Sequence, residues 1–289
     1  MATGKLLIPR VLHQIWVGGE MPAWAAAYVQ SLKRHHPRWA YRLWTDDDLA
    51  AAVRAYGDPE LYALYQALPV IQKTDVARCV VLHAHGGVYA DTDMEWYGSI
   101  ETLLTARPRA AVWLAHSPPD LPGQAHGATN YLMASVPGHP FWAAVLSDMR
   151  RVLATRGWPW WARTVSLQTP HATGARRLTA RYRAARQQGD TTVAVWDPEK
   201  IVNLFCAHTP VPTDAIAMHN GGTSRSFAGD TTQWSGLNGL TRAECAVRRR
   251  LGVRGNAFQL PLCLLGLLLL LVLAAGLGAR RLRRAGARA

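Results

Sequence analysis

Cysteine, glycosylation sequons and acidic residues near the C-terminal end are scarce or absent in this 289-residue sequence. Its four cysteines are widely scattered and form neither a zinc-binding spacing nor a dense disulfide framework. No N-x-S/T glycosylation sequon occurs, which agrees with a chain whose residues before the C-terminal segment face the cytosol. These absences exclude the disulfide-rich miniprotein and zinc-finger classes.

Positive charge is plentiful, but its position argues against nucleic-acid binding. The net charge is +13, yet nine arginines lie after residue 247, where no acidic residue occurs. The body shows no basic stripe with interleaved aromatic residues, which a nucleic-acid binder usually has. The distribution of charge therefore predicts no nucleic-acid partner.

At the N-terminus, Pro9 and Arg10 interrupt a short apolar stretch, so no signal peptide is predicted.

One long uncharged segment, residues 257–279, lies between the two arginine clusters. As a helix rising about 1.5 Å per residue, it is long enough to cross a hydrocarbon core of about 30 Å. We expect one C-terminal transmembrane helix, preceded by a basic connector at 242–256 and followed by a basic tail at 280–289. Arginines flank both ends, so the positive-inside rule leaves the side of the membrane open.

The remaining residues, 1–241, alternate between strand and helix patterns. The predicted strands lie within 7–19, 39–44, 88–94, 109–116 and 191–197, and the predicted helices within 21–37, 47–57, 59–68 and 70–87. Such alternation predicts one α/β domain with a mostly parallel sheet flanked by helices.

Asp91 and Asp93 form a D-x-D motif in the predicted strand at 88–94, which has the sequence VYADTDM. In an extended strand, residues two apart share a face at about 6.5–7 Å between Cα atoms, so both carboxylates can face one ligand. Two neighbouring anions favour a cation between them, and oxygen ligands suit Mn²⁺ or Mg²⁺ better than zinc. The motif alone is weak, because surface strands and turns also carry it by chance.

Three kinds of metal site place acidic residues at this spacing. A calcium-binding EF-hand needs glycine at its sixth position, but Trp96 stands there, so this class is excluded. A phosphatase of the haloacid-dehalogenase type needs a later lysine and a further acidic pair. Lys200 is the only lysine after Asp93 and no Asp-Asp pair follows, which leaves this class as a distant alternative.

A nucleotide-sugar transferase, the third kind, needs sugar-binding groups just upstream. Asp75 and Arg78 stand three residues apart on the preceding predicted helix and therefore project from one face. Asp75 can accept hydrogen bonds from sugar hydroxyls while Arg78 orients it or contacts the donor. The alternative is an ordinary ion pair on a helix surface, which contributes little.

Three segments resemble the D-x-D sugar transferases of glycosyltransferase family 32, which include Och1-like and inositol phosphoceramide mannosyltransferases. They are IPRVLHQIWVGG at 8–19, HHPRWAYRLWTDDDL at 35–49 and TDVARCVVLHAHGGVYADTDMEW at 74–96. The resemblance is specific up to about residue 100 and looser up to about residue 230.

This resemblance implies a GT-A fold, a nucleotide-sugar donor, Mn²⁺ and retention of anomeric configuration. Carried onto this chain, it makes Asp93 a direct metal ligand and lets Asp91 bind the metal through water or contact the ribose of the donor. Asp75 and Arg78 then hold the transferred sugar.

Three further residues are assigned from the same resemblance. Trp16 matches the aromatic residue that stacks on the nucleobase, and Tyr89 lines the same pocket. Both are equally expected as fillers of a strand core. His219 is the candidate for a third metal ligand, although Ser226 and Phe227 stand where the family usually has a Ser-Trp pair.

The resemblance finally implies a hexosyltransferase that uses GDP-mannose, with UDP-glucose or UDP-galactose as other donors. The expected membrane anchor favours a lipid acceptor such as an inositol phosphoceramide over a glycan, on a Golgi or ER type of endomembrane. The alternative classes are the phosphatase above and an inactive, membrane-tethered sugar-binding module.

Overall fold

The computed structural model describes residues 6–117, 127–155, 165–203 and 212–219. All of these residues belong to one compact unit. Within them, no helix is both long enough and apolar enough to cross a membrane. The predicted transmembrane span at 257–279, like the domain boundaries predicted after residue 241, lies outside the described residues.

The predicted alternation of strands and helices is confirmed over the described residues. The strands are β1 (Val11–Ile15), β2 (Ala40–Trp44), β3 (Gly87–Ala90), β4 (Met94–Trp96), β5 (Val112–Ser117), β6 (Gly127–Ser135), β7 (Val193–Val195), β8 (Ile201–Asn203) and β9 (Ala217–His219). The helices are α1 (Ala23–His35), α2 (Asp46–Ala55), α3 (Pro59–Gln66), α4 (Val70–His85), α5 (Glu101–Ala106), α6 (Pro140–Ala154), α7 (Val165–Ala172) and α8 (Ala175–Gln187).

Six strands form the central sheet in the order β2-β1-β3-β6-β5-β7. The sheet is mostly parallel, as predicted, and only β6 runs antiparallel to its neighbours β3 and β5. A second, three-stranded sheet has the order β4-β9-β8. The main chain therefore passes from one sheet to the other directly after β3.

Helices cover both faces of the central sheet. Successive residues of a strand point to opposite faces, so both sets of side chains are buried. In β3, Tyr89 packs into the core that contains Val76 of α4. Its neighbours Val88 and Ala90 pack into the other core, with Leu32 of α1. Burial on both faces explains why β3 reads as an apolar run without alternation.

Two glycines join α4 to β3 and set the position of β3 against β1. Gly86 and Gly87 have φ angles of 64° and 85°, which side chains with a Cβ rarely adopt. A Cβ on Gly87 would lie 2.6 Å from the carbonyl oxygen of Val11. This close approach lets α4 end and β3 start beside β1 within two residues.

Candidate active site

Asp91 and Asp93 lie in a turn between β3 and β4, so the prediction that they belong to an extended strand is wrong. β3 ends at Ala90 and β4 begins at Met94. The Met94 amide donates to the Asp91 carbonyl at 3.3 Å across the turn. The chain must change direction here because β3 and β4 belong to different sheets. The carboxylates therefore converge through the turn and not through the two-residue period of a strand.

His219 lies beside these carboxylates because β9 pairs with β4, which places His219 opposite Met94. Its Nε2 atom is 3.2 Å from Asp93 Oδ1 and 4.0 Å from Asp91 Oδ2. The ring stacks on Tyr131, with 4.3 Å between centroids and 4° between planes. Strand pairing and stacking together fix the direction of the imidazole.

Asp91, Asp93 and His219 form a candidate metal centre, in which one ligand atom from each lies within 4.8 Å of the others. Burial raises the pKa of Asp91, and the neighbouring Asp93 adds to this effect, although Arg78 opposes it. Burial alone would lower the pKa of His219, but Asp93 and Asp91 outweigh it and the pKa is raised. Negative charge crowded in this way favours a bound cation.

Arg78 and Tyr89 hold one oxygen of Asp91. Arg78 Nη1 donates to Asp91 Oδ1 at 2.9 Å, and the Tyr89 hydroxyl donates to the same oxygen at 2.7 Å. The guanidinium also lies over the Tyr89 ring, at 4.7 Å from its centroid. Since Oδ1 is bound by protein groups, Oδ2 is the oxygen of Asp91 that faces His219.

Asp75 is buried beside Arg78, with only 3% of its surface exposed. Its Oδ1 accepts from Asn130 Nδ2 at 2.7 Å and lies 3.4 Å from Arg78 Nη2. Its Oδ2 accepts from the Thr173 hydroxyl at 2.9 Å. Burial raises the pKa of Asp75 to about 6, even though Arg78 and Thr173 act to lower it.

The alternative that Asp75 and Arg78 form an ordinary surface ion pair is therefore wrong. The shared helix face was correctly predicted, but this face points into the protein. Both oxygens of Asp75 already accept from protein groups. A sugar hydroxyl that binds Asp75 would have to share an oxygen with Asn130 or Thr173.

Trp16 and Tyr89 have different places in the structure. Trp16 directly follows β1, at the same edge of the sheet as Asp91, which directly follows the parallel strand β3. Its indole Nε1 donates to the Gly19 carbonyl at 3.2 Å. Tyr89 is 2% exposed and is therefore mainly a core residue with a hydroxyl that reaches Asp91.

Three contributors to the site were not predicted from the sequence: Gln14, Tyr131 and Thr173. Asn130, in the segment ATNYLMAS, is expected from the sequence to contact the sugar or the acceptor, and in the structure its side chain binds Asp75. Gln14 Nε2 donates to the Asp91 carbonyl at 3.2 Å, and the Asn130 carbonyl accepts from Arg78 Nη1 at 3.0 Å. Each acts through strand register or packing between distant segments. The available signal was that Gln14, like His13 beside it, is a polar residue in a strand whose other three residues are apolar.

The sheet and the cluster at its carboxyl edge define an α/β protein with a candidate metal centre at a strand end, where ligands bind in this class. Residues 22–110 match the family described as the glycosyltransferase sugar-binding region containing a DXD motif. This segment, which includes Asp91 and Asp93, is thus similar to that glycosyltransferase family, in agreement with the resemblance seen in the sequence.

The curated relatives point to the same family. The chain is 31% identical over 151 residues to inositol phosphoceramide mannosyltransferase 2 of Schizosaccharomyces pombe, covering 52% of this chain and 40% of the relative. It is 28% identical to inositol phosphoceramide mannosyltransferase 3 of the same yeast, covering 63% and 47%. A third relative is the mannosyl phosphorylinositol ceramide synthase CSH1 of Saccharomyces cerevisiae, with 26% identity, covering 50% and 36%. The chain thus spans less than half the length of these relatives.

Solved structures show a more distant likeness. The PaToxG glycosyltransferase is 13% identical, with a TM-score of 0.44 over 63% of this chain and 70% of that chain. The galactosyltransferase LgtC is 12% identical, with a TM-score of 0.40 over 81% and 95%. At scores this low, the description of the fold rests on the strand order itself.

Proposed function

We propose that this chain is a metal-dependent glycosyltransferase that moves mannose from GDP-mannose onto a membrane lipid such as an inositol phosphoceramide. The observation that carries the proposal is the convergence of Asp91, Asp93 and His219 at the carboxyl edge of β3. The named activity of the yeast relatives supports mannose and the lipid, and the sequence resemblance supports the nucleotide donor.

The donor atoms of the cluster suit Mn²⁺. Two carboxylates favour a hard cation such as Mg²⁺ or Mn²⁺, and an imidazole favours transition metals, so Mn²⁺ satisfies both preferences. Asp91 Oδ2, a carboxylate oxygen of Asp93 and His219 Nε2 would hold the ion. When bound, such an ion neutralises the charge that develops on a departing diphosphate.

Arg78 and Tyr89 act by holding Asp91 rather than by reaching the donor. Arg78 is 5% exposed and donates to Thr74, Asp91 and Asn130. The planar guanidinium holds several N–H groups in fixed directions, so it can bind these acceptors together better than an ammonium group can. Asp75 orients Arg78 and Asn130, and it touches the transferred sugar if a hydroxyl shares one of its oxygens.

The transfer itself needs no covalent intermediate on the protein. The oxygen of an acceptor hydroxyl forms a new bond to the anomeric carbon, while the bond from that carbon to the diphosphate oxygen breaks. The hydroxyl proton passes to the departing diphosphate. Retention of configuration, which the family resemblance implies, requires both bonds to lie on the same side of the sugar ring.

A lipid acceptor requires the site to lie at a membrane, which the segment 257–279 would provide. The full chain is expected to stay in the membrane fraction after extraction with alkaline carbonate, whereas a chain ending at residue 256 is released. Equal release of both would remove the anchor from the proposal, leaving the sugar transfer to be tested separately.

The function is tested by measuring donor hydrolysis for a panel of nucleotide sugars, with Mn²⁺ and with a chelator. We expect GDP-mannose to be hydrolysed by the wild type with Mn²⁺, and the rate to fall about 100-fold or more in Asp93→Ala. Glu60→Gln serves as the control and should keep the wild-type rate, because it removes an exposed carboxylate of α3 that pairs with Arg150. Equal rates for the wild type and Asp93→Ala would overturn the assignment.

Further assays separate the two alternative classes. A phosphatase would release inorganic phosphate from simple phosphoesters and would not transfer sugar. An inactive sugar-binding module would bind a nucleotide sugar in the presence of chelator and turn over no donor with any acceptor. Transfer of labelled mannose to inositol phosphoceramide in detergent would establish the acceptor.

A further inference from the structure

Gln14 is a polar residue in the middle of β1 whose side chain is completely buried, with 0% of its surface exposed. A buried amide is costly unless its hydrogen bonds are made. Gln14 Nε2 donates to the main-chain carbonyl of Asp91 at 3.2 Å. The partner of this amide is thus the first residue of the turn that carries the candidate metal centre.

Tyr41 holds the other end of the Gln14 amide. Its hydroxyl donates to Gln14 Oε1 at 3.1 Å across the parallel pairing of β1 and β2. The Asp91 carbonyl can only accept, so the NH₂ group of Gln14 must face it, and Oε1 must face Tyr41. The two partners therefore fix one orientation of the amide. The ammonium group of Lys33 lies 3.9 Å from the centroid of the Tyr41 ring and helps to hold that ring.

The turn at Asp91 needs such support because it has left the regular sheet. Its main chain is held by the Asp91 amide, which donates to the Tyr131 carbonyl at 2.8 Å, and by the Asp91 carbonyl, which accepts from Gln14 and Met94. The side chain is held separately, through Oδ1, by Arg78 and Tyr89. Gln14 thus contributes a side-chain hydrogen bond that fixes the peptide after Asp91, and this peptide leads to Asp93.

We infer that Gln14, oriented by Tyr41, is a positioning residue that sets the turn so that Asp91 and Asp93 converge on one cation. This inference rests on the proposed function, because it concerns the same metal centre. It differs from a purely structural role in its consequence. Loss of the Gln14 contact should weaken metal binding, whereas loss of an equally buried hydrogen bond elsewhere in the sheet should not.

Three variants of the full chain separate the two roles. Gln14→Met keeps the approximate volume and removes both hydrogen bonds. Tyr41→Phe keeps Gln14 but frees its amide to rotate, and serves as the milder variant should Gln14→Met fold poorly. Ser135→Ala is the matched control, because it removes a buried hydrogen bond that Ser135 accepts from Trp142 at 2.8 Å. Ser135 pairs with Gly87, at the far end of β3 from Asp91.

The primary measurement is Mn²⁺ affinity, from the electron paramagnetic resonance signal of free Mn²⁺ during titration. We expect Gln14→Met to bind Mn²⁺ about 10- to 100-fold more weakly, the range for residues that orient metal ligands, and Tyr41→Phe to show a smaller loss in the same direction. Ser135→Ala should keep wild-type affinity although it melts at a lower temperature. Excess Mn²⁺ should restore donor hydrolysis in Gln14→Met.

Wild-type Mn²⁺ affinity in folded Gln14→Met or in Tyr41→Phe would overturn the inference, as would an equal loss in Ser135→Ala. The fate of the proposed function is decided separately, by the wild type alone. If the wild type binds Mn²⁺ with an affinity that depends on Gln14 but hydrolyses no nucleotide sugar, the positioning role stands and the glycosyltransferase proposal fails.

Discussion

Arg78 is the residue on which the candidate site depends most, because its guanidinium joins three separate segments. It donates to Thr74 in its own helix, to Asp91 in the turn and to Asn130 in β6. The planar group can reach these acceptors together, and an ammonium group cannot. The charge alone would therefore be insufficient at this position.

For Arg78→Lys we predict a loss of about 3 kcal/mol in unfolding free energy, because a buried network with two carboxylates loses most of its partners. Mn²⁺ affinity should fall as well, since Asp91 loses one of its two fixed donors. Arg150→Lys is the matched control, as Arg150 pairs with Asp58 and Glu60 at the partly exposed surface. Denaturant unfolding of both variants checks the prediction, and equal stabilities would contradict it.

Residue spacing predicted part of this site and could not predict the rest. Three residues of separation on a helix correctly placed Asp75 and Arg78 on one face, and the D-x-D pattern correctly marked the acidic pair. The burial of that face, with Thr173 closing over Asp75, depends on residues almost one hundred positions apart. No local pattern carries such information.

Among the elements, the junction of α4 and β3 determines where the acidic turn begins. Gly86 and Gly87 end the helix and bring β3 against β1. The backbone of β1 lies so close to Gly87 that no side chain fits between them. The turn after β3 is displaced if this approach is lost.

Gly87→Ala is expected to cost about 3 kcal/mol or more of unfolding free energy. It combines the strain of a positive φ, about 1 kcal/mol, with a clash against the Val11 carbonyl that the backbone must relieve. Gly57→Ala provides the control, since Gly57 has a φ of 82° but nothing within 4 Å of the added Cβ. It should cost only about 1 kcal/mol. Equal costs for the two variants would mean that the close approach does not constrain the junction.

His13 gives the same junction a dependence on pH. It is buried between Trp44, whose Nε1 donates to Nδ1 at 3.1 Å, and the Gly86 carbonyl at 3.1 Å from Nε2. Burial lowers the pKa of His13 from 6.5 to about 4, although the Gly86 carbonyl opposes this effect; His85 and Arg42 add smaller lowering effects. The folded protein therefore keeps the ring neutral, and the contribution of His13 is complete above pH 6.5.

As the pH falls from about 6.5 to about 4, the unfolded chain takes up this proton before the folded protein does, so stability is lost. The difference should reach about 2.5 kcal/mol at pH 4.5. His13→Gln should show that much less change in unfolding free energy between pH 7 and pH 4.5. A wild-type slope in His13→Gln would contradict the assignment.

The sequence predicted best the elements that are long enough to show a repeating apolar pattern. The helices α1, α2 and α3 show apolar spacing that matches their burial. Burial does not follow the apolar pattern in α4 and β1, which also bury polar residues, or in β2, where Leu43 is exposed. β4, β8 and β9 have three residues each, too few to show a period, and they exist because they pair with one another. β6 is buried over most of its length, so its alternation is hidden.

On the scale of the whole molecule, the described residues form one α/β unit with the candidate metal centre at one edge of its central sheet. Most of the net positive charge lies after residue 247, around the predicted membrane span. The candidate metal centre and the predicted membrane attachment, which a lipid acceptor requires, therefore lie in different parts of the sequence. Metal removal should therefore abolish donor hydrolysis while leaving the full chain in the membrane fraction.

The most direct test of the account is a Mn²⁺ titration of the full chain with GDP present, comparing the wild type with Asp93→Asn and Glu60→Gln. The account predicts one saturable site in the wild type and in Glu60→Gln, and a loss of about 100-fold in affinity in folded Asp93→Asn. If Asp93→Asn binds Mn²⁺ as tightly as the wild type, these side chains do not hold the ion, and the proposed chemistry is contradicted.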